Sequence, residues 1–434
     1  LKIENQRKNA LGVASLCAFL FGGGTDAYLV VDSVLQFIMV AASIFVLSGS
    51  QGEPQKSVAV WFGISAIAIC MVQLVPLPIE IARFGREELF ENARFGLDGL
   101  SWHAVSLAPG RTVDSLLWVM SLTIYAAAVS SLEPRQRETL ISYFLVGTLL
   151  NVVFALMSYA AVRSGKIEFV GYYAAAGIFA NANHFGTLVF ATMVLMIFYL
   201  LRRGMLLAAI AYCVLALITL FATSSRAAAL VGIIVAVLGA AVIFAGRRSL
   251  RIGLGAAIGL ACLAYFGLAQ QMQVNELSLD AIRSEAFATT WRAAWDNLPF
   301  GTGFGTFLNA YKSYETEIFR VQINHAHNDY VELVLEGGIF IILLIIAFFI
   351  YFGYLITRSH VESAPALIGL LAILIHSLVD YPLRTYAISV LATFLFVMAA
   401  EGAHRKCDKG ARRAGSLFKK RSKPHLEELA ENAA

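Results

Sequence analysis

The sequence predicts an all-α, polytopic membrane protein with about twelve transmembrane helices and a large connection on its outer side. Three observations carry the prediction. Of the 434 residues, 59% are hydrophobic and only 14% charged, and the mean hydropathy is +0.71; a soluble globule could not hide that much apolar surface. Apolar stretches of roughly 20 residues, enough to cross about 30 Å of hydrocarbon, recur along the chain. The Lys and Arg residues between them fall in alternate connections, the pattern that sets orientation.

In order, the predicted spans are 9–24, 28–48, 58–76, 113–131, 139–162, 184–201, 205–222, 227–246, 252–269, 337–357, 364–380 and 385–401. The first is short, carries Gly22, Gly23 and Gly24 and is followed by Asp26. A signal peptide is the competing reading there, and no clean Ala-x-Ala cleavage site follows to favour it. Arg7 and Lys8, Arg135 and Arg137, Arg202 and Arg203, Arg247, Arg248 and Arg251, and Arg358 mark the inner connections. Both termini are then cytoplasmic, and two long connections, 77–112 and 270–336, lie outside. The chain divides into an N-terminal helix bundle (1–269), an outer loop (270–336), C-terminal spans (337–401) and a basic tail (402–434). Between Arg405 and Lys423 the tail holds nine Lys or Arg residues, which suits an anionic membrane leaflet, although a topology anchor is the simpler role. Without the tail the net charge of +4 would turn negative, so no nucleic-acid partner is expected.

Cys17, Cys70, Cys213 and Cys262 lie in apolar spans and Cys407 in the tail, so no pair is placed for a disulfide or a zinc site. The sequence shows no internal repeat, Walker loop or dinucleotide fingerprint. ATP-driven transport is therefore not expected.

The polar residues gather at one face. The stretch INHAHNDYVELVLEGG (323–338) puts His325, His327, Asn328, Asp329, Glu332 and Glu336 at the mouth of a span. The loop before it, with WRAAWDNLPFGTGFGTFLNAYKSYE, reads as ordered structure and carries Arg283, Arg292 and Arg320. Asn183 and His184 lie at another outer boundary, Arg226 between two spans, and His376, Asp380 and Arg384 at the end of the eleventh. Each has an ordinary alternative: an Arg at a helix mouth is more often a snorkelling residue than a ligand, and Asn324 or Asn328 followed by Asp329 makes a good helix cap. Capping does not account for Glu332 and Glu336, which share one helix face beside His327 and repel unless a cation sits between them. An Arg of the 270–336 loop is expected to supply it.

The run from His327 through Asn328, Tyr330, Glu336 and Gly338 resembles the signature of the bacterial O-antigen ligase and polysaccharide polymerase family, His-Asn followed after nine residues by Gly at the start of a span. GIFANANHFG (177–186), Ser225-Arg226, DNLPFGTGFGTF after Arg283, and LVDYPLR ending at Arg384 resemble it too. The likeness runs from about 60 to 400. It implies a helical fold of the GT-C type with a periplasmic loop over a lipid-accessible cavity, in a bacterial inner membrane. It further implies a glycosyltransferase that takes a glycan built on undecaprenyl diphosphate and passes it whole to lipid A-core (ligases) or to another lipid-linked repeat (polymerases). No metal or other cofactor is expected, since His325 and His327 are two apart with no third ligand at a characteristic spacing.

A glycosyl diphosphate already carries its leaving group, so the enzyme has to stabilise the negative charge that develops as the bond breaks. Arginine stays protonated and can hold phosphate oxygens bidentately. Family roles carried onto matching positions make Arg226 and Arg283 the expected diphosphate ligands, with Arg320 and Arg384 in reserve. His327 is the expected base for the acceptor hydroxyl, His325 its natural comparison, and Glu332, Glu336 or Asp380 the carboxylate that orients it. Direct displacement would invert the anomeric centre. A lipid-linked oligosaccharide transporter is the alternative from another class, but it would usually show repeats and charges near the bilayer midplane; a scaffold of an assembly complex is a third. Between ligase and polymerase, which share these motifs, the expectation leans to the ligase.

Overall fold

The computed structural model describes residues 2–26, 29–49, 57–90, 99–163, 176–243, 277–315 and 323–402. The predicted ninth span (252–269), Arg320, and the basic tail beyond 402 lie outside these residues. Helices dominate: α1 (Lys2–Phe21), α2 (Val30–Leu47), α3 (Val58–Leu74), the single turns α4 (Ile79–Ala82) and α5 (Glu87–Phe90), α6 (Pro109–Ser131), α7 (Pro134–Arg163), α8 (Ala182–Arg202), α9 (Leu206–Ala222), α10 (Arg226–Ile243), α11 (Leu277–Asp296), α12 (Phe307–Tyr314), α13 (Asp329–Arg358), α14 (Ala364–His376) and α15 (Tyr386–Gly402). Two three-residue strands, β1 (Pro76–Pro78) and β2 (Trp102–Ala104), pair antiparallel with Leu77 opposite His103.

Six helices, α2, α6, α7, α8, α10 and α13, are long and apolar enough to cross a membrane, and α3, α9, α14 and α15 are shorter apolar helices. These ten helices overlap ten of the twelve predicted spans. The first predicted span falls in α1, whose polar first two turns keep it from qualifying, and the eleventh stops at His376, leaving Asp380 in the turn that follows. Helix α8 runs through the middle of the bundle, buried along most of its length and packed by α7, α9, α10 and α14. Its small and β-branched residues allow close approach: a Cβ on Gly186 would collide with the Ala228 methyl of α10, the kind of contact that replaces the hydrophobic drive inside a bilayer. Helix α13 is the opposite case. Leu343, Ile346, Phe349 and Ile350 are exposed, as expected of a helix facing lipid.

The predicted tenth span began at 337, yet α13 starts at Asp329. Its first two turns carry acids that an apolar-run criterion rejects, and they are covered by the preceding connection. That connection has a small core of its own, in which Ala293, Phe307, Ala310 and Tyr311 pack with Ile323, Ala326 and Leu335. The glycines at 337 and 338 are explained by this cover. Gly338 has φ +58° and ψ −145°, which kinks the helix, and a Cβ there would collide with the Pro299 carbonyl. The chain from Pro299 to Gly303 lies on the kink, with Ile339 N donating to Pro299 O (2.8 Å), Thr302 N to Leu335 O (2.9 Å) and Gly303 N to Glu336 O (2.9 Å). Only glycine combines this φ with so close a backbone approach. Arg86 anchors the same stretch from the 77–112 connection, donating from one nitrogen to the Val105 and Gly301 carbonyls at 2.7 Å each. Burial lowers its guanidinium to about 10, so it remains charged at neutral pH.

Candidate active site

The site is built on the start of α13. Asn328 is the N-cap: its Oδ1 accepts from the Tyr330 and Val331 amides at 3.0 and 3.1 Å, satisfying two otherwise free donors of the first turn. Its Nδ2 donates to the Leu378 carbonyl at 2.8 Å, so one side chain fixes the helix start to the 377–385 turn. Asp329 reinforces that joint by accepting from Ser377 Oγ (2.8 Å) and from Leu383 N (3.2 Å). Just before the cap, His327 has φ +51°. For a residue with a Cβ this left-handed conformation costs about 1–2 kcal/mol, and the surrounding hydrogen bonds hold it.

From this start two buried clusters extend. In the first, Arg384 stands among three carboxylates, with Nη2 2.8 Å from Glu336, Nε 3.4 Å from Glu332 and 3.9 Å from Asp329. Glu332 also receives His325 Nδ1 at 2.8 Å and Ala326 N at 2.9 Å. Burial alone would lower the His325 imidazole, but the Glu332 carboxylate raises it above its ordinary 6.5. The sequence reading of these acids is corrected in two respects. They adjoin His325 rather than His327, and the cation between them is Arg384 from the turn after α14 rather than an Arg of the 270–336 connection.

In the second cluster Asp380, 1% exposed, receives Asn183 Nδ2 at 2.6 Å on one oxygen, and His327 Nδ1 at 3.2 Å and Tyr381 N at 3.0 Å on the other. His184 Nε2 lies 3.7 Å away, its other ring nitrogen being 2.6 Å from Thr385 Oγ1. Burial would raise the Asp380 carboxyl, but the His184 and His327 imidazoles hold it well below the usual carboxylate range. An ionised Asp380 fixes the proton of His327 on Nδ1 and leaves the lone pair on Nε2. His376 joins through α8, 2.7 Å from Thr187 Oγ1, and Arg283 lies on α11. Arg226 opens α10, two residues before the Ala228 that packs on Gly186 in α8. Among the described residues no three of His, Cys, Asp and Glu are placed to share a metal ion.

Tyr381 stands where the clusters meet, stacked on His325 at 4.2 Å and edge-on to His327 at 5.0 Å and His184 at 4.7 Å. Beside the Arg384 cluster opens a cavity of about 800 Å³, lined by His325, Asp329, Glu332, Glu336 and Arg384 together with residues of α2, α3, α6, α12 and α15. The sequence named Asn183, His184, His327 and Asp380 on separate elements; the fold brings Asn183 and His327 into hydrogen bonds with Asp380 and His184 to 3.7 Å from it, while Tyr381, Gln73 and Asp32 were overlooked. Gln73 joins α3 to the site, donating to Glu336 O at 2.8 Å and accepting from Phe304 N at 3.1 Å. A signal existed for both Gln73 and Asp32, since polar side chains inside apolar spans seldom face lipid.

Compared with known families, residues 188–346 match O-antigen ligase. The match takes in α8 to α10, the connection before the cap and the first half of α13; Asn183, Asp380 and Arg384 lie beyond its ends. No curated protein and no solved structure matches the chain. Residues 188–346, which include the kink of α13 just beyond His327, are thus similar to the O-antigen ligase family, in a chain with six helices long and apolar enough to cross a membrane.

Proposed function

We propose that the protein is a metal-independent, inverting glycosyltransferase. It moves a glycan from undecaprenyl diphosphate to a lipid A-core or glycan acceptor on the periplasmic face of a bacterial inner membrane. One observation carries the reading: His327 and Asp380 form an oriented dyad at 3.2 Å, with Nε2 of the half-buried ring left to take a proton. Basic residues at the inner connections support a periplasmic site and cytoplasmic termini, and on this reading the 270–336 connection is the cover that excludes water.

In the reaction His327 Nε2 removes the proton of the acceptor hydroxyl as its oxygen attacks the anomeric carbon. The bond from that carbon to the phosphate oxygen breaks on the opposite side, and its electron pair leaves with undecaprenyl diphosphate. Asp380 stabilises the imidazolium that forms. Arg226 and Arg283 take the diphosphate charge, with Arg320 as a further candidate, while His184, His376 and Asn183 hold Asp380 and its surroundings in place. Arg384 is assigned to the acids of α13 rather than to the diphosphate, because three carboxylates already offset its charge. Ligase action is the preferred form, and polymerisation of lipid-linked repeats the second.

Reconstituted protein supplied with an undecaprenyl-diphosphate-linked glycan tests the reading. Transfer to lipid A-core, with one undecaprenyl diphosphate released per product, is expected; transfer to a lipid-linked repeat would mark the polymerase. A glycan that is only carried across the bilayer, without cleavage, would make the protein a transporter.

A further inference from the structure

The 800 Å³ cavity is lined by Asn324, His325 and Arg384 but by neither Asp380 nor His327, and its chemistry differs from theirs. Its mouth includes Asp26, Asp114, Asn309 and Lys312, and it reaches Ala66, Leu122, Ile341 and Ala392 at its apolar end. Ala66 is eight residues from the end of α3, so the cavity penetrates about 12 Å into the bundle. Its size falls within the roughly 300–1,000 Å³ of small-molecule sites. Six carboxyl side chains and His325 line it with Arg111, Lys312 and Arg384, and Arg384 is already paired with Glu336 at 2.8 Å. A carboxyl group, ionised or protonated, keeps acceptor lone pairs that a hydroxyl can satisfy. Two oxygens remain without a hydrogen-bond partner although buried: Asp32 Oδ1 and Asp329 Oδ1, in residues 7% and 1% exposed. Asp329 has Arg384 at 3.9 Å. Asp32, on α2, has no such neighbour among the described residues and lines the cavity. A buried acceptor without a donor is costly and is satisfied by a ligand that brings hydroxyl groups.

We propose that this cavity is the site of the acceptor glycan: an uncharged, hydroxyl-rich run of sugars whose hydroxyls donate to Asp32, Asp329 and their neighbours, with Trp118 and Phe307 offering flat apolar faces. The inference rests on the transferase reading and adds to it a division of the substrates. The lipid diphosphate sits with Asp380, Arg226 and Arg283, the acceptor enters on the His325 side, and the two meet over the lip made by Tyr381 and Asn324, whose side chains are 3.5 Å apart.

The test places a reporter in the wall. In a chain whose five native cysteines are replaced, Ser33→Cys is labelled with a membrane-impermeant maleimide in reconstituted vesicles. Three probes are added separately: lipid A-core, the free oligosaccharide of the repeat without lipid or phosphate, and undecaprenyl diphosphate that carries no glycan. At least tenfold slower labelling with lipid A-core or the free oligosaccharide, and no slowing with the lipid diphosphate, is expected. Protection by the lipid diphosphate alone, or by none of the probes, overturns the proposal. Transfer by the wild-type protein is measured alongside, so that transfer without protection sinks this inference alone, whereas absence of transfer sinks the transferase reading. Asp32→Asn gives a second readout: a tenfold or larger rise in acceptor KM with an unchanged donor KM is expected, and an unchanged acceptor KM contradicts the assignment.

Discussion

Arg384→Ala is the sharpest structural perturbation available. It removes the guanidinium that faces Glu336 at 2.8 Å, Glu332 at 3.4 Å and Asp329 at 3.9 Å, all three carboxylates being at most 1% exposed. Removing one partner of a buried ion pair costs about 3–5 kcal/mol, because the charge left behind is uncompensated. The cost is not tripled here. Glu332 keeps His325 and the Ala326 amide, and Asp329 keeps Ser377 and Leu383 N, so Glu336 bears most of the loss. With roughly 2 °C per kcal/mol for a chain of this size, Tm should fall by about 6–10 °C. Thermal unfolding in detergent at pH 7 measures it, and Glu336→Gln in the Arg384→Ala background should recover part of the fall. A Tm within about 1 °C of wild type would refute the claim that this cation is what makes the acidic helix mouth tolerable.

Other consequences follow from the same geometry. Asp380→Asn no longer fixes the proton of His327 on Nδ1 and should lower the transfer rate by about 10²–10⁴, measured with reconstituted protein whose unfolding profile stays near that of the wild type. Gly338→Ala forces a Cβ into the Pro299 carbonyl at φ +58° and should destabilise by about 1–3 kcal/mol, seen as a lower Tm and faster proteolysis of the Pro299–Gly303 stretch. The His325–Glu332 pair gives a pH dependence. Because the folded imidazole titrates above its ordinary 6.5, its stabilisation is complete below that value and is lost as pH rises through the raised one. The stability difference between wild type and His325→Gln should accordingly be largest near pH 6 and shrink toward pH 9; a difference independent of pH would show that the pair is not ionic.

Helical character and the crowding of polar groups at one face were legible in the sequence because both are local properties. Apolar runs report spans, and Asn328 followed by Asp329 reports a cap. The predicted tenth span starts eight residues after α13 does because an apolar run excludes the acids of the first two turns, although the cap at Asn328 and the shared face of Glu332 and Glu336 already read as helix; the covering stretch from Pro299 explains how they are buried. Glu332 and Glu336 signalled by their spacing that a cation was needed, but which Arg supplies it depends on how the 377–385 turn folds back onto α13, and no pattern along the chain records that. His325 and His327 are two residues apart and look equivalent in sequence. The left-handed backbone at His327 separates them, sending one to Asp380 and the other to Glu332 and the cavity. Asp32 and Gln73 were overlooked since each is a single polar residue in an apolar run, and their meaning comes from the cavity and the kink they face.

The central claim is that His327, held by Asp380, activates the acceptor. It is tested most directly by the lipid-linked intermediates and surface polysaccharide of a deletion strain complemented with wild type, His327→Ala, or His103→Ala as a control remote from the site. Loss of surface product with lipid-linked glycan accumulating on the periplasmic side is expected for His327→Ala alone, with full-length chains accumulating for a ligase and single repeats for a polymerase. Normal product from well-expressed His327→Ala would contradict the account and leave His327 as no more than the residue before a helix cap.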